Sequence, residues 1–145
     1  VLDGAVNVYL DRFLNTPPAP IPEPGETARA PETILDDLDA TFDAEGRVNE
    51  AGRLVGEFID AGGDPADLKR RLGHALLRED SGFHTLQALE AGFRQFDRAT
   101  DDHDRRVAMV AVARYLAAHF PTRREAEQTF TIASRLLRGE SVHED

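Results

Sequence analysis

The 145-residue sequence contains no cysteine and no tryptophan, and Lys69 is its only lysine. Without cysteine the chain has no disulfide framework, no thiolate nucleophile, no iron–sulfur cluster and no cysteine-ligated metal site. A chain of this length forms one domain, whose core is large enough to fold without disulfides or a metal. The lack of tryptophan and the abundance of alanine favour packed helices over a β-sheet.

Long apolar runs and a targeting segment are also missing. No stretch reaches the roughly 18 apolar residues of a membrane span, and no basic segment precedes an apolar run as in a signal peptide. We therefore expect no membrane association and a cytoplasmic location. The chain begins at Val1, so we expect that an initiator methionine was removed or that the sequence is a piece of a longer polypeptide.

Positive charge is scarce in the first part of the chain. Residues 1–66 hold 14 acidic residues and 4 arginines, whereas residues 67–145 hold 13 acidic and 13 basic residues. The formal net charge of −10 argues against nucleic acid as a partner, because nucleic-acid-binding proteins usually carry an excess of Lys and Arg. A local anion site in the arginine-rich second part stays open.

The first 31 residues divide into two segments. Apolar residues recur at helical spacing in Val1–Asn15 and predict an N-terminal amphipathic helix. Residues 16–31 contain six of the eight prolines and predict a Pro-rich, extended connector. A 16-residue connector is long for a compact domain. We therefore expect the N-terminal helix to dock on a distant surface, a neighbouring subunit or another domain.

Residues 32–139 show consecutive apolar stripes at helical spacing and no strand-like alternation. Gly62, Gly139 and Pro121 are typical helix ends, Asp64 is a typical N-cap, and the run Thr122–Glu125 resembles a capping box. The pattern predicts an all-α fold, a compact bundle of about six or seven short helices with Val107–Phe120 buried at its centre. Residues 140–145 are expected to be a frayed tail.

Two charged residues fall on apolar faces of the predicted helices. If Asp67–Asp80 is one helix, Glu79 lies on the centre of its apolar stripe, and Arg114 interrupts the central helix. A buried carboxylate must be paired or else becomes neutral. We therefore predict a buried ion pair between Arg114 and Glu79 or Asp80, which either fixes the packing of two helices or lines a ligand site.

The densest polar run, Arg78–His84, lies at a predicted junction between two helices, where side chains can converge on a ligand. Glu79 and His84 are the candidates for general acid or base catalysis. The candidate ligand-binding residues are Glu79, Asp80, His84, Glu90, Arg114, Tyr115 and His119. For Glu90 and its i,i+4 neighbour Arg94, the alternative is a solvated helix edge.

A divalent metal site is conceivable at four of these positions. The predicted helical part, residues 32–139, has no Glu-x-x-His or His-Glu-x-x-His motif, which are the spacings that build metal sites on helices. Ligands would have to converge from separate helices, and scattered histidines are more often exposed. The metal-ligand candidates are Glu79, His84, Glu90 and His119.

Two functions from different classes follow. The first is a helical accessory or interaction domain, part of a larger polypeptide or of a homo-oligomer, which binds a protein partner or self-associates through Val1–Asn15. The second is a metal-dependent or acid/base enzyme, or a small-ligand-binding domain, with its site around Glu79, Asp80, His84, Arg114 and His119. A ligand-sized cavity that exposes several of these side chains would favour the second.

Overall fold

The structure is a computed structural model, which describes Val6 and residues 19–140. This part of the chain contains six helices and no strand, so the predicted all-α class is confirmed. The helices are α1 (Pro31–Phe42), α2 (Val48–Asp60), α3 (Pro65–Leu77), α4 (Phe83–Arg98), α5 (Asp102–His119) and α6 (Glu125–Leu137). Apart from Val6, the predicted N-terminal helix lies outside the described residues, as does most of the predicted tail.

Helix α5 is the centre of the bundle and packs mainly against α2 and α4. Eight of its residues are buried, among them Met109, Val110 and Leu116. Helix α1 packs on α2, and α3 contacts both α1 and α4. The sequence identified this central helix correctly, because a helix that is apolar on nearly all sides can be stable only inside other elements.

The predicted ends of the first helices are confirmed. Gly62 adopts a φ of 70° after the end of α2, a left-handed conformation that glycine adopts without steric cost. The carboxylate of Asp64 accepts a hydrogen bond of 2.9 Å from the backbone N–H of Ala66, and Pro65 occupies the first turn of α3. Helix α3 ends at Leu77, so the assumption of a helix through Asp80 is wrong.

Residues 19–30 form neither helix nor strand and lie along α2 and α5. Arg114 donates to the carbonyl of Pro20 at 2.7 Å. Further along, Arg106 donates to the carbonyl of Pro22 at 2.8 Å, and the backbone N–H of Gly25 donates to Asp60 at 3.1 Å. We call residues 20–25 the strap, because they are tied to the bundle at successive points.

Within the described residues, no helix has the length and apolar character needed to cross a lipid bilayer.

Candidate functional site

The carboxylate of Glu79 anchors the segment that leads into α6. Its Oε2 accepts hydrogen bonds of 2.7 Å from both the backbone N–H and the hydroxyl of Thr122. Its Oε1 accepts from Nε and Nη2 of Arg124 at 2.9 and 2.7 Å. Burial alone would raise the pKa of Glu79, but the bonds from Arg124 and Thr122 outweigh burial and lower the pKa. Glu79 is therefore a paired, ionised side chain and is not poised as a general acid.

Asp80 provides the N-terminal cap of α6. Its two carboxylate oxygens accept from the backbone N–H groups of Glu125 and Ala126 at 2.7 and 3.0 Å. These bonds, the one from Ala126 first, lower the pKa of Asp80. The predicted capping box over Thr122–Glu125 is wrong, because the hydroxyl of Thr122 donates to Glu79 instead of capping the helix. The start of α6 thus depends on residues more than 40 positions earlier in the chain.

The predicted ion pair of Arg114 with Glu79 or Asp80 is also wrong. Arg124 is the partner of Glu79, whereas Arg114 donates to the carbonyl of Pro20. Arg114 lies against Gly52 of α2, at the interface of α2 and α5. Arg114 therefore holds the strap and makes no contact with the Glu79 cluster in the described structure.

The other candidate residues make local contacts. His84 is exposed and lies 3.2 Å from the side-chain oxygen of Gln87. Glu90 is exposed and pairs with Arg94, one helical turn away. On α5, the rings of Tyr115 and His119 lie with their centroids 4.4 Å apart. No group of three or more His, Asp or Glu side chains is placed to hold a metal ion in residues 19–140.

A ligand-sized cavity of about 660 Å³ is present, but none of the candidate ligand-binding residues lines it. The hypothesis that these residues form a ligand site therefore stays a prediction, without support from the cavity. What the structure does bring together is Glu79, Asp80, Thr122 and Arg124, and this cluster positions a helix.

The helix so positioned, α6, exposes its apolar face. Phe130, Leu136 and Leu137 are 73%, 57% and 89% exposed, and Ile132 is 44% exposed. No side chain described in α6 is buried. With Ala133 between them, these residues cover one side of the helix. We call this surface, formed by Phe130, Ile132, Ala133, Leu136 and Leu137, the α6 face.

Arg106 was not predicted to be a buried residue, but it is only 4% exposed. Its guanidinium donates to Asp60 at 2.8 Å and to the carbonyls of Pro22 and Gly56. The signal was present in the spacing: Arg106 precedes the buried Met109 and Val110 by three and four positions, which places all three on one helix face. Arg106 joins the strap, the end of α2 and the start of α5.

Arginines in residues 67–145 form ion pairs with acidic side chains in residues 1–66. Arg71 donates to Asp39 at 2.6 Å and to Glu32 at 3.0 Å, and this pairing, the bond to Asp39 first, raises its pKa. Arg106 pairs with Asp60, and Arg124 pairs with Asp43 as well as Glu79. These arginines hold the bundle together, so they form no cluster free to bind an external anion.

Comparisons of this chain with protein-family models, with curated proteins and with solved structures found no match.

Proposed function

We propose that this chain is a helical interaction domain that self-associates, with the α6 face as its binding surface. The observation that carries the proposal is that α6 is amphipathic and yet has no buried side chain among those described. Every other helix of the bundle buries apolar side chains in the common core. A helix that exposes four large apolar side chains is typical of a protein–protein contact.

Helix α6 is expected to be more stable when a partner covers its apolar face. A 13-residue helix is marginal in water when no tertiary contact supports it. Glu79 and Asp80 fix the start of α6, but polar contacts at one end do not stabilise the remaining turns. Covering a side chain such as Phe130 or Leu137 contributes about 1.5–3 kcal/mol. A partner on this face would therefore stabilise the helix and remove the exposed apolar surface together.

The occupant that we propose is the predicted amphipathic helix Val1–Asn15 of a second copy. From Gly25 back to Pro20, the strap runs from the level of Asp60 to that of Arg114, toward the carboxyl end of α5. That end of α5 leads directly into α6. Pro20, the first residue of the strap, and the start of α6 therefore lie toward the same end of the bundle.

We propose a second copy as the donor of the helix, because two copies can form this contact twice. Between two molecules, a single contact with a helix of 13 residues buries too little surface for a stable complex. A two-fold arrangement makes the same contact twice, because each copy offers one N-terminal helix and one α6 face to the other.

Light scattering during size-exclusion chromatography tests the proposal. We expect the full chain to be a dimer. The double variant Phe130→Ser with Leu137→Ser should be a monomer whose helix content by circular dichroism falls by no more than the 13 residues of α6. Leu77→Ser is the matched control, since Leu77 is 81% exposed at the end of α3, and this variant should stay dimeric. Deletion of residues 1–18 should also give a monomer.

Two results would contradict the proposal. A full chain that is monomeric at all concentrations rejects self-association, whether or not the N-terminal helix docks within its own copy. A dimer that survives deletion of residues 1–18 but not the α6 substitutions rejects the N-terminal helix as the occupant.

A further inference from the structure

A cavity of about 660 Å³ lies where α2 ends, α3 begins, α4 ends and α5 begins. Its apolar wall consists mainly of Phe58, Ile59, Leu68 and Phe96, and Pro24 of the strap lies at one side. Cavities of roughly 300–1,000 Å³ lined chiefly by apolar side chains are the usual binding sites for small molecules. The α6 face contributes no residue to this cavity and comes later in the sequence than every residue that lines it.

Most charged groups that line the cavity already have partners. Asp60 forms its ion pair with Arg106 at 2.8 Å. Asp97 pairs with Lys69 at 2.5 Å, and Asp102 pairs with Arg105 at 3.3 Å. A charged ligand would lose its hydration in this apolar cavity and find no free counter-charge, which is costly. The pairing therefore favours a ligand without net charge.

His103 is the polar exception in the lining. It is exposed at the start of α5 and makes no hydrogen bond or ion pair with the described residues. An imidazole can donate from one ring nitrogen and accept at the other. It can thus bind a single carbonyl or hydroxyl group of a molecule whose apolar part lies against Phe58 and Phe96.

We infer that this cavity binds an uncharged small molecule with an aromatic or branched apolar body and one hydrogen-bonding group directed at His103. The recognition is divided between two parts of the site: the apolar wall provides most of the affinity, and His103 fixes the orientation. Ligand binding in this cavity does not require self-association, because the cavity and the α6 face lie on different helices.

Titration with the neutral dye prodan, a naphthalene that carries a ketone, tests the inference. We expect saturable binding of one dye per chain, with emission shifted to shorter wavelength. Ile59→Trp, which fills the cavity, should weaken binding about tenfold or more. Leu77→Trp adds the same ring at an exposed position and should leave binding unchanged.

A second pair of measurements addresses His103 without touching the apolar wall. His103→Ala should weaken prodan binding about three- to tenfold, which corresponds to one hydrogen bond, and leave the binding of naphthalene itself unchanged. Because His103 is exposed, this variant should fold normally even if Ile59→Trp does not.

Three outcomes would overturn the inference. One is the absence of saturable prodan binding. Another is tighter binding of the anionic dye anilinonaphthalene sulfonate than of prodan. The last is loss of prodan binding in the Phe130→Ser and Leu137→Ser variant with retention in Ile59→Trp, which would place the dye on the α6 face.

Discussion

At the scale of single residues, Glu79 shows how this protein keeps an ionised carboxylate away from solvent. The side chain is wholly inaccessible to solvent, and burying an ionised group is costly unless its hydrogen bonds are replaced. Thr122 and Arg124 donate four hydrogen bonds to its two oxygens. The charge is therefore retained and holds the segment before α6 in place.

Substitution of Glu79 should make stability depend less on pH. Because the pKa of Glu79 is lowered in the folded chain from its ordinary value of 4.5, the ionised side chain stabilises the fold above that value. This stabilisation declines as the pH falls below 4.5 and is gone below the folded-state pKa. We expect Glu79→Gln to lower the free energy of unfolding at pH 7 by about 2 kcal/mol, and the difference to shrink in acid.

Urea denaturation of both proteins between neutral and acid pH measures this effect. Glu90→Gln is the control, since Glu90 belongs to an exposed i,i+4 pair and should change stability by only about 0.5 kcal/mol or less. A gap between the wild-type chain and Glu79→Gln that stays constant or grows in acid would show that the charge of Glu79 is not what stabilises the fold.

The burial of Glu79 was predicted from a helix through Asp80, but Glu79 is buried in the bend that follows α3. Its partner was not predicted. Arg124 is 45 positions away and follows a loop, so no local pattern connects the two residues. At Arg106 the partner was not the difficulty but the burial itself. Its spacing from Met109 and Val110 places it on the buried helix face, whereas its charge is typical of an exposed residue, so its burial was not predicted. The polar cluster consists of contacts between residues that are far apart in the chain. Such contacts cannot be predicted from the spacing of residues in a single sequence.

At the scale of the helices, two glycines inside helices should respond in opposite ways to alanine. Gly73 in α3 has no atom near the position that a Cβ would occupy, whereas at Gly92 in α4 that Cβ would overlap the side chain of Val112 in α5. Gly73→Ala should raise the free energy of unfolding by about 0.5–1 kcal/mol through helix propensity. Gly92→Ala should lower it by about 1–2 kcal/mol, because either Val112 must leave its present rotamer or α4 and α5 must separate.

Each glycine serves as the control for the other, since both are half-buried and lie within helices. Thermal and urea unfolding of the two variants give the comparison. If Gly92→Ala were as stable as Gly73→Ala, the close approach of α4 to α5 would not exist in solution.

Most helix boundaries could be predicted because their causes are local. Asp64 and Pro65 at the start of α3, and Gly62 after α2, act within a few residues of the ends that they define. The start of α6 differs, since Asp80 supplies its cap from another part of the chain. Local capping rules correctly placed a helix there but assigned the wrong cap.

At the scale of the whole molecule, the strap belongs to the folded unit. Deletion of residues 1–18 leaves its contacts intact, whereas deletion of residues 1–25 removes the carbonyls of Pro22 and Glu23 that Arg106 binds. We expect the longer deletion to lower the free energy of unfolding by about 2 kcal/mol relative to the shorter one. Urea unfolding at a low protein concentration, at which both chains are monomeric, makes the comparison. Equal stability of the two chains would show that the strap contributes nothing to the fold.

The strap also determines how the molecule bears mechanical load. Its hydrogen bonds to Arg114, Arg106 and Asp60 lie in a row along residues 20–25. Tension applied to residue 19 along that row loads all of them in shear, so they must break together. Tension applied across the row peels them one at a time, starting at Pro20. The same few bonds are therefore strong against a pull in one direction and weak against a pull in the other.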